Sequence, residues 1–170
     1  DHVNLFLTWG EVEGIVCSGI DKGKKTTYAL LDERVPPTRE LCREEALARL
    51  ASRYFQSHSP AQLQDFVWWS GLTATECRLA INLIKTELMT ETFDSREYFI
   101  HQSWKGKNES EPVLRLLPAF DEYLISYKNR TDVLPLEHHP KAFNRFGTFY
   151  PVILYNGKII GNWSRSIKKN

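Results

Sequence analysis

The stretch "LQDFVWWSGLTATECRLAINLI", residues 63–84, constrains this chain more than any other. Leu63, Phe66 and Val67 recur at helical spacing, and the run ends in Trp68 and Trp69. Gly71 then offers the left-handed backbone that glycine adopts cheaply. Thr73 and Glu76 have the spacing of a capping box, which satisfies the orphan amides of a helix start. Cys77, Ala80, Ile81 and Ile84 give that second helix its buried face. Two helices joined by so tight a turn make a helix-turn-helix scaffold.

The flanks extend it. In "CREEALARLASRYFQSHSP", Leu47, Leu50, Ala51, Tyr54 and Phe55 share one helical face. Downstream, "LMTETF" and "REYFI" alternate around Asp94-Ser95 as a short hairpin. Three helices and a two-stranded ribbon predict a winged helix-turn-helix over residues 37–104. "VPPT" at 35–38 reads as a linker, because its two prolines suit neither helix nor sheet. Before it stand a helix carrying Val3, Phe6 and Leu7 and two strand-like runs, "GIVCSG" and "TTYALLD". A helix and hairpin over 1–34 are half a domain, expected as the end of a truncated winged helix whose upstream part is missing. Alone they cannot bury Phe6, Leu7 and Ile15. From 112 to 170, "VLRLLP" and "TFYPVILYNGKIIGNW" read as strands, the latter turning at Asn156-Gly157. A small β-rich, barrel-like domain is expected there, and the fold class is α+β.

With 42% hydrophobic and 25% charged residues, the 170-residue chain can bury a core and does not read as disordered. No apolar run reaches the ~18 residues of a membrane span, and no secretory signal pattern is present. Cys17, Cys42 and Cys77 are odd in number and widely spaced, so reduced thiols in a cytoplasm are expected, with no metal and no cofactor. The net charge of +1 hides an asymmetry: residues 141–170 hold six Lys and Arg and no Asp or Glu. An anionic partner is expected for that end.

Candidate contacts with DNA follow from charge and placement. On the outer face of the second scaffold helix, Arg78 and Lys85 are available beside Thr75 and Asn82. Yet residues 72–100 carry five acids against three basic residues, so this copy reads as architectural rather than base-reading. Lys22, Lys24 and Lys25 sit at a hairpin tip, where point charges grip phosphates without reading sequence. "SWKGK", with Lys105 and Lys107, reads as a solvated basic linker. Lys128 and Arg130 follow the acidic pair Asp121-Glu122, for which structural hydrogen bonding is expected. Lys141, Arg145, Lys158 and Arg165 interleave with aromatic rings, the best electrostatic footprint in the chain. Phe149 and Trp163 are expected in the core. His138 and His139, being adjacent and without a third ligand, read as a loop.

"YALLDERVP", "LQDFVWWSGLT", "LLPAFDEYLISYKNR" and "GKIIGNW" together resemble the AlkZ-like (YcaQ-type) winged-helix family of bacterial proteins. The resemblance implies tandem winged helices followed by a β-barrel-like domain, and a full-length DNA glycosylase acting on alkylated or crosslinked DNA. This part would bind double-stranded DNA mainly through its phosphate backbone, with no membrane partner. The family's Gln-x-Gln or Gln-x-Asp signature belongs near the N-terminus of the first winged helix. Gln62 and Gln64 spell Gln-x-Gln in a different place and read as a surface coincidence, leaving no catalytic residue here. The rival reading is a non-catalytic winged-helix module for transcriptional regulation or protein contacts.

Overall fold

A computed structural model of the chain describes residues 2–37, 39–106 and 112–167. The chain divides into two compact units, residues 1–41 and 42–170. The segments expected as 37–104 and 112–170 thus fall almost wholly within the second unit.

In the first unit, α1 (His2–Val12) is followed by β1 (Val16–Ser18), antiparallel to β2 (Tyr28–Leu30). Gly10 lets helix and strand approach, since a Cβ there would come within 3.1 Å of a Val16 methyl. "TTYALLD" does not stay extended. β1 offers no partner beyond Ile15, whose carbonyl accepts the Leu31 amide at 3.0 Å, and Leu31–Arg34 coils into α2. Asp32 and Glu33 in its first turn complement the helix dipole. Gly10 is the only buried residue among those described in this unit. Phe6 is 67% exposed and Ile15 53%, as expected of so few elements.

The second unit opens with α3 (Arg43–His58), α4 (Leu63–Ser70) and α5 (Ala74–Leu83). Leu47, Ala51, Tyr54 and Phe55 line one face of α3 and meet Phe66, Cys77, Ala80 and Ile84 in a buried core. Each large side chain buried there stabilises by roughly 1.5–3 kcal/mol. Gly71 ends α4 at a φ of 69°. Thr73 caps α5: the Glu76 amide donates to its hydroxyl at 3.2 Å, and its own amide donates to the Glu76 carboxylate at 3.1 Å. Arg43 also pairs with Glu76, and together these partners hold that carboxyl down to about 2. After a 3-10 turn at Lys85–Glu87, β3 (Leu88–Phe93) and β4 (Arg96–His101) pair antiparallel around Asp94 and Ser95, whose φ angles are 48° and 60°. Ala61 and Phe99 exchange backbone bonds at 2.8 and 3.1 Å, fastening the ribbon to the α3–α4 connection.

β5 (Leu114–Leu117), β6 (Val152–Tyr155) and β7 (Lys158–Asn162) form one antiparallel sheet in that order. Asn156 and Gly157 make the expected turn, with φ of 44° and 78°. The barrel-like expectation is corrected: among the described residues the sheet is open, because three strands are too few to close and β5 and β7 remain edges. Its core is Leu124, Leu134, Ala142, Val152, Leu154 and Ile159. Phe149 packs against it, and the half-buried Trp163 donates its indole N–H to the Leu117 carbonyl at 2.8 Å. Two four-residue helices lie between β5 and β6: α6 (Glu122–Ile125) and α7 (His139–Ala142). The loop expected at His138-His139 is therefore a 3-10 turn running into α7, where Pro140 suits a helix start. Asp121 caps α6 by accepting the Tyr123 amide, and Glu122 accepts the Ser126 hydroxyl, a structural use of the acidic pair.

One buried carboxylate couples the helices to the later segment. Asp65, 3% exposed, accepts the Gln62 amide at 2.9 Å and the Lys128 amide at 2.8 Å. Around it, Tyr127 donates to the His58 carbonyl at 3.0 Å, and Trp68 donates to the Ile125 carbonyl at 2.9 Å. Burial and the Asp65 charge push the Tyr127 phenol up to about 12.

Two outcomes are expected. Asp65→Ala strands two amides and should cost about 1–3 kcal/mol for each one left without water, read by urea denaturation. Glu76→Gln should lower the melting temperature at neutral pH. The Glu76 pKa is depressed on folding, so its contribution is present above about 4.5 and lost as pH falls toward about 2. The gap between variant and wild type should close over that window; a pH-independent gap would contradict the pairing.

Candidate nucleic-acid interface

Trp68 and Trp69 end α4 side by side, and adjacent helical residues cannot both enter one core. Trp69, 37% exposed, sets its ring centre 5.0 Å from that of Tyr54. Trp68 stays 48% exposed with its indole N–H fixed on Ile125, so its ring is a surface platform held in one orientation. The Lys128 ammonium lies over it at 4.6 Å and the Arg130 guanidinium at 5.7 Å.

Asp65 explains why these cations stand there. The Lys128 backbone is held by the α4 carboxylate one turn before Trp68, so the side chain is delivered across the ring. Arg130 is anchored more deeply. It donates to the Leu124 carbonyl, and its guanidinium also sits 5.3 Å from the rings of both Phe143 and Phe149. Burial lowers its pKa, yet a guanidinium remains charged at neutral pH. The rings of Phe143 and Phe149 are 5.0 Å apart, and Phe120 lies 6.5 Å beyond Phe149. Aromatic faces and cations thus run as a strip from Lys128 to Phe120.

At the Lys128 end the strip opens into a groove of about 330 Å³. Leu63, Val67 and Trp68 form its apolar wall, and Gln64, Arg78 and Lys128 supply polar groups. A second cleft, of about 320 Å³, is lined by Gln62, Asp65, Tyr98, Tyr127, Arg130 and Asp132. Arg96 grips Asp132 through two bonds, 2.8 and 3.1 Å, and holds its carboxyl below the usual range. Gln62 stands at the cap position before α4 rather than on the helix, so Gln62 and Gln64 line different clefts.

The sequence-derived residues are distributed unevenly. Arg78 and Lys128 share the groove, and Arg130 joins Lys128 over Trp68. Lys85 is exposed on the 3-10 turn after α5. Lys22, Lys24 and Lys25 lie exposed in the first unit, with Lys22 and Lys25 exchanging backbone bonds across the hairpin tip. Lys141 is exposed on α7, and Arg165 is exposed beyond β7. Lys158 donates its ammonium to the Asp132 carbonyl, so part of its bonding capacity is already used. Arg145 lies over Phe146 at 4.8 Å. Lys105 is exposed, whereas Lys107 lies outside the described residues. Charge alone did not single out Trp68, although a Trp-Trp pair at the end of an amphipathic helix already required one ring to face outward.

The profile of the DNA glycosylase AlkZ-like family matches residues 6–169. An interstrand DNA cross-link repair glycosylase of Streptomyces sahachiroi is 25% identical over 170 residues, covering 91% of this chain and 46% of that protein. The solved structure of Streptomyces sahachiroi DNA glycosylase AlkZ superposes with a TM-score of 0.77 at 22% identity, over 94% of this chain and 47% of that one. The chain therefore spans about half the length of the relatives it matches. With nearly its whole length covered by the family profile and a fold in common with a solved relative, the chain belongs to the DNA glycosylase AlkZ-like family.

Proposed function

We propose that this chain is a DNA-gripping part of an AlkZ-like glycosylase, with a winged helix at 37–104, a β domain at 112–170 and the end of another winged helix at 1–34. The observation that carries the proposal is the Lys128–Trp68–Arg130 strip, with Arg78 in the adjoining groove. Cations fixed over the exposed Trp68 ring suit a polyanion whose bases are partly unstacked, as at a lesion. Contact is mainly with duplex phosphates, and the strip with Arg78 makes it, rather than Thr75, Asn82 and Lys85. The acidic balance of residues 72–100 supports that division. Lys22, Lys24 and Lys25 add a separate phosphate contact from the first unit.

One observation favours a rival. Leu79 and Leu83, one turn apart on α5, are 40% and 39% exposed, which suits a protein partner on that face. Affinity for duplex DNA separates the two readings. Binding should be sequence-independent, with a log–log salt slope of roughly −0.9 per phosphate contacted. Replacing Lys128 with Ala should weaken it more than replacing Lys158 or Lys85 with Ala. Equal losses would remove the strip from the interface, and no salt dependence would favour the protein partner.

Base excision is not expected from residues 1–170 alone. Catalytic groups must converge on one sugar and one attacking water, whereas Gln62 and Gln64 line separate clefts. Incubation with a duplex carrying N7-alkylguanine should yield no abasic sites. Excision that disappears on Gln64→Ala would make that pair the true motif.

A further inference from the structure

Phe146 is 78% exposed, more than any other aromatic side chain described. It does not owe that exposure to a loose loop. Asn144 organises the turn: its side-chain carbonyl accepts the amides of Phe146 at 2.9 Å and Thr148 at 3.1 Å. Its backbone accepts the Gly147 amide at 3.1 Å and donates to Thr148 at 3.0 Å. Its side-chain amide reaches the Tyr150 hydroxyl at 3.1 Å. Gly147 takes a φ of 79°, which lets the chain reverse directly after the phenylalanine. The base of the turn is equally firm, since Phe143 and Phe149 form a β-bridge and their mutually tilted rings hold Arg130.

The turn holds the apolar surface of the phenylalanine unburied within the chain. Arg145 sits next to it, its guanidinium 4.8 Å from the ring centre. From residue 141 to 170 the sequence contains Lys and Arg but no Asp or Glu. The tip is therefore an apolar wedge with a cationic shoulder, in a stretch without a carboxylate to repel an anion. A protein groove would accept the ring but gives no reason for the missing acids. Stacked bases between two phosphate rails account for both.

We propose that the Arg145–Phe146 turn is a wedge that enters duplex DNA at a weakened base step, with Phe146 stacking on an unpaired base and Arg145 held to the adjacent phosphate. This rests on the DNA-binding reading above but concerns residues outside the Trp68 strip. Insertion would help keep a damaged step open. It is distinct from excision and uses no catalytic group.

The test is a short duplex carrying 2-aminopurine beside a central mismatch, titrated with the chain and followed by both anisotropy and 2-aminopurine fluorescence. The wild type should bind and raise the fluorescence as the reporter base is unstacked. Phe146→Ala should bind about tenfold more weakly, as expected for loss of one stacked base, and give no fluorescence rise. Phe146→Trp should restore both. Arg145→Ala should weaken binding and reduce the salt slope by about one phosphate while leaving the fluorescence change intact at saturation. Circular dichroism should show Phe146→Ala folded. An unchanged fluorescence rise in Phe146→Ala would overturn the wedge while leaving DNA binding standing. A variant that binds DNA normally but loses self-association would assign the ring to a second copy instead. No binding by the wild type would overturn both readings.

Discussion

Asp65 is the constraint on which the second unit depends. A carboxylate 3% exposed must find hydrogen bonds inside the protein, and this one finds two backbone amides, of Gln62 and Lys128. The first fixes where α4 starts. The second fixes where the segment after α6 crosses it. Tyr127, His58 and Ser126 add bonds at the same junction, with the His58 ring 3.1 Å from the Ser126 hydroxyl. The helices and the segment at 125–128 therefore meet through specific polar contacts, beside two separate apolar cores.

The surface follows from that junction. With Lys128 tied to α4, its ammonium falls over Trp68, and Arg130 is drawn in among Trp68, Phe143 and Phe149. Fixing these side chains at folding means that less rotamer entropy is lost when a ligand arrives. A mobile lysine would have to be ordered on binding; Lys128 is already placed by its backbone and by the ring beneath it.

Much of the helical half was legible in the sequence because its signals are local. The α3 face follows from spacing within sixteen residues, and the Gly71 turn and the Thr73–Glu76 cap are each set by neighbours. The Asn156-Gly157 turn is as local. Residues 118–150 were less legible: α6 and α7 have four residues each, too few for a period to show. The open sheet was misjudged as barrel-like because strand patterns do not reveal how many strands pair. The link from Asp65 to Lys128 is not legible because the two lie 63 residues apart and the donor is a backbone amide, which carries no side-chain signature. For the same reason Lys128 and Arg130 were chosen for charge alone, without the tryptophan that organises them.

Asp65 holds the Lys128–Trp68–Arg130 strip together, and we propose that this strip meets DNA. The most direct measurement is an NMR titration of the chain with duplex DNA, following the indole N–H of Trp68 and the amides of α5. The Trp68 indole and the Lys128 amide should shift together, with Thr75, Asn82 and Lys85 little changed, and Asp65→Asn should disperse that response. Shifts confined to Thr75, Asn82 and Lys85, with Trp68 unmoved, would contradict this and give the contact to α5 and the turn that follows it.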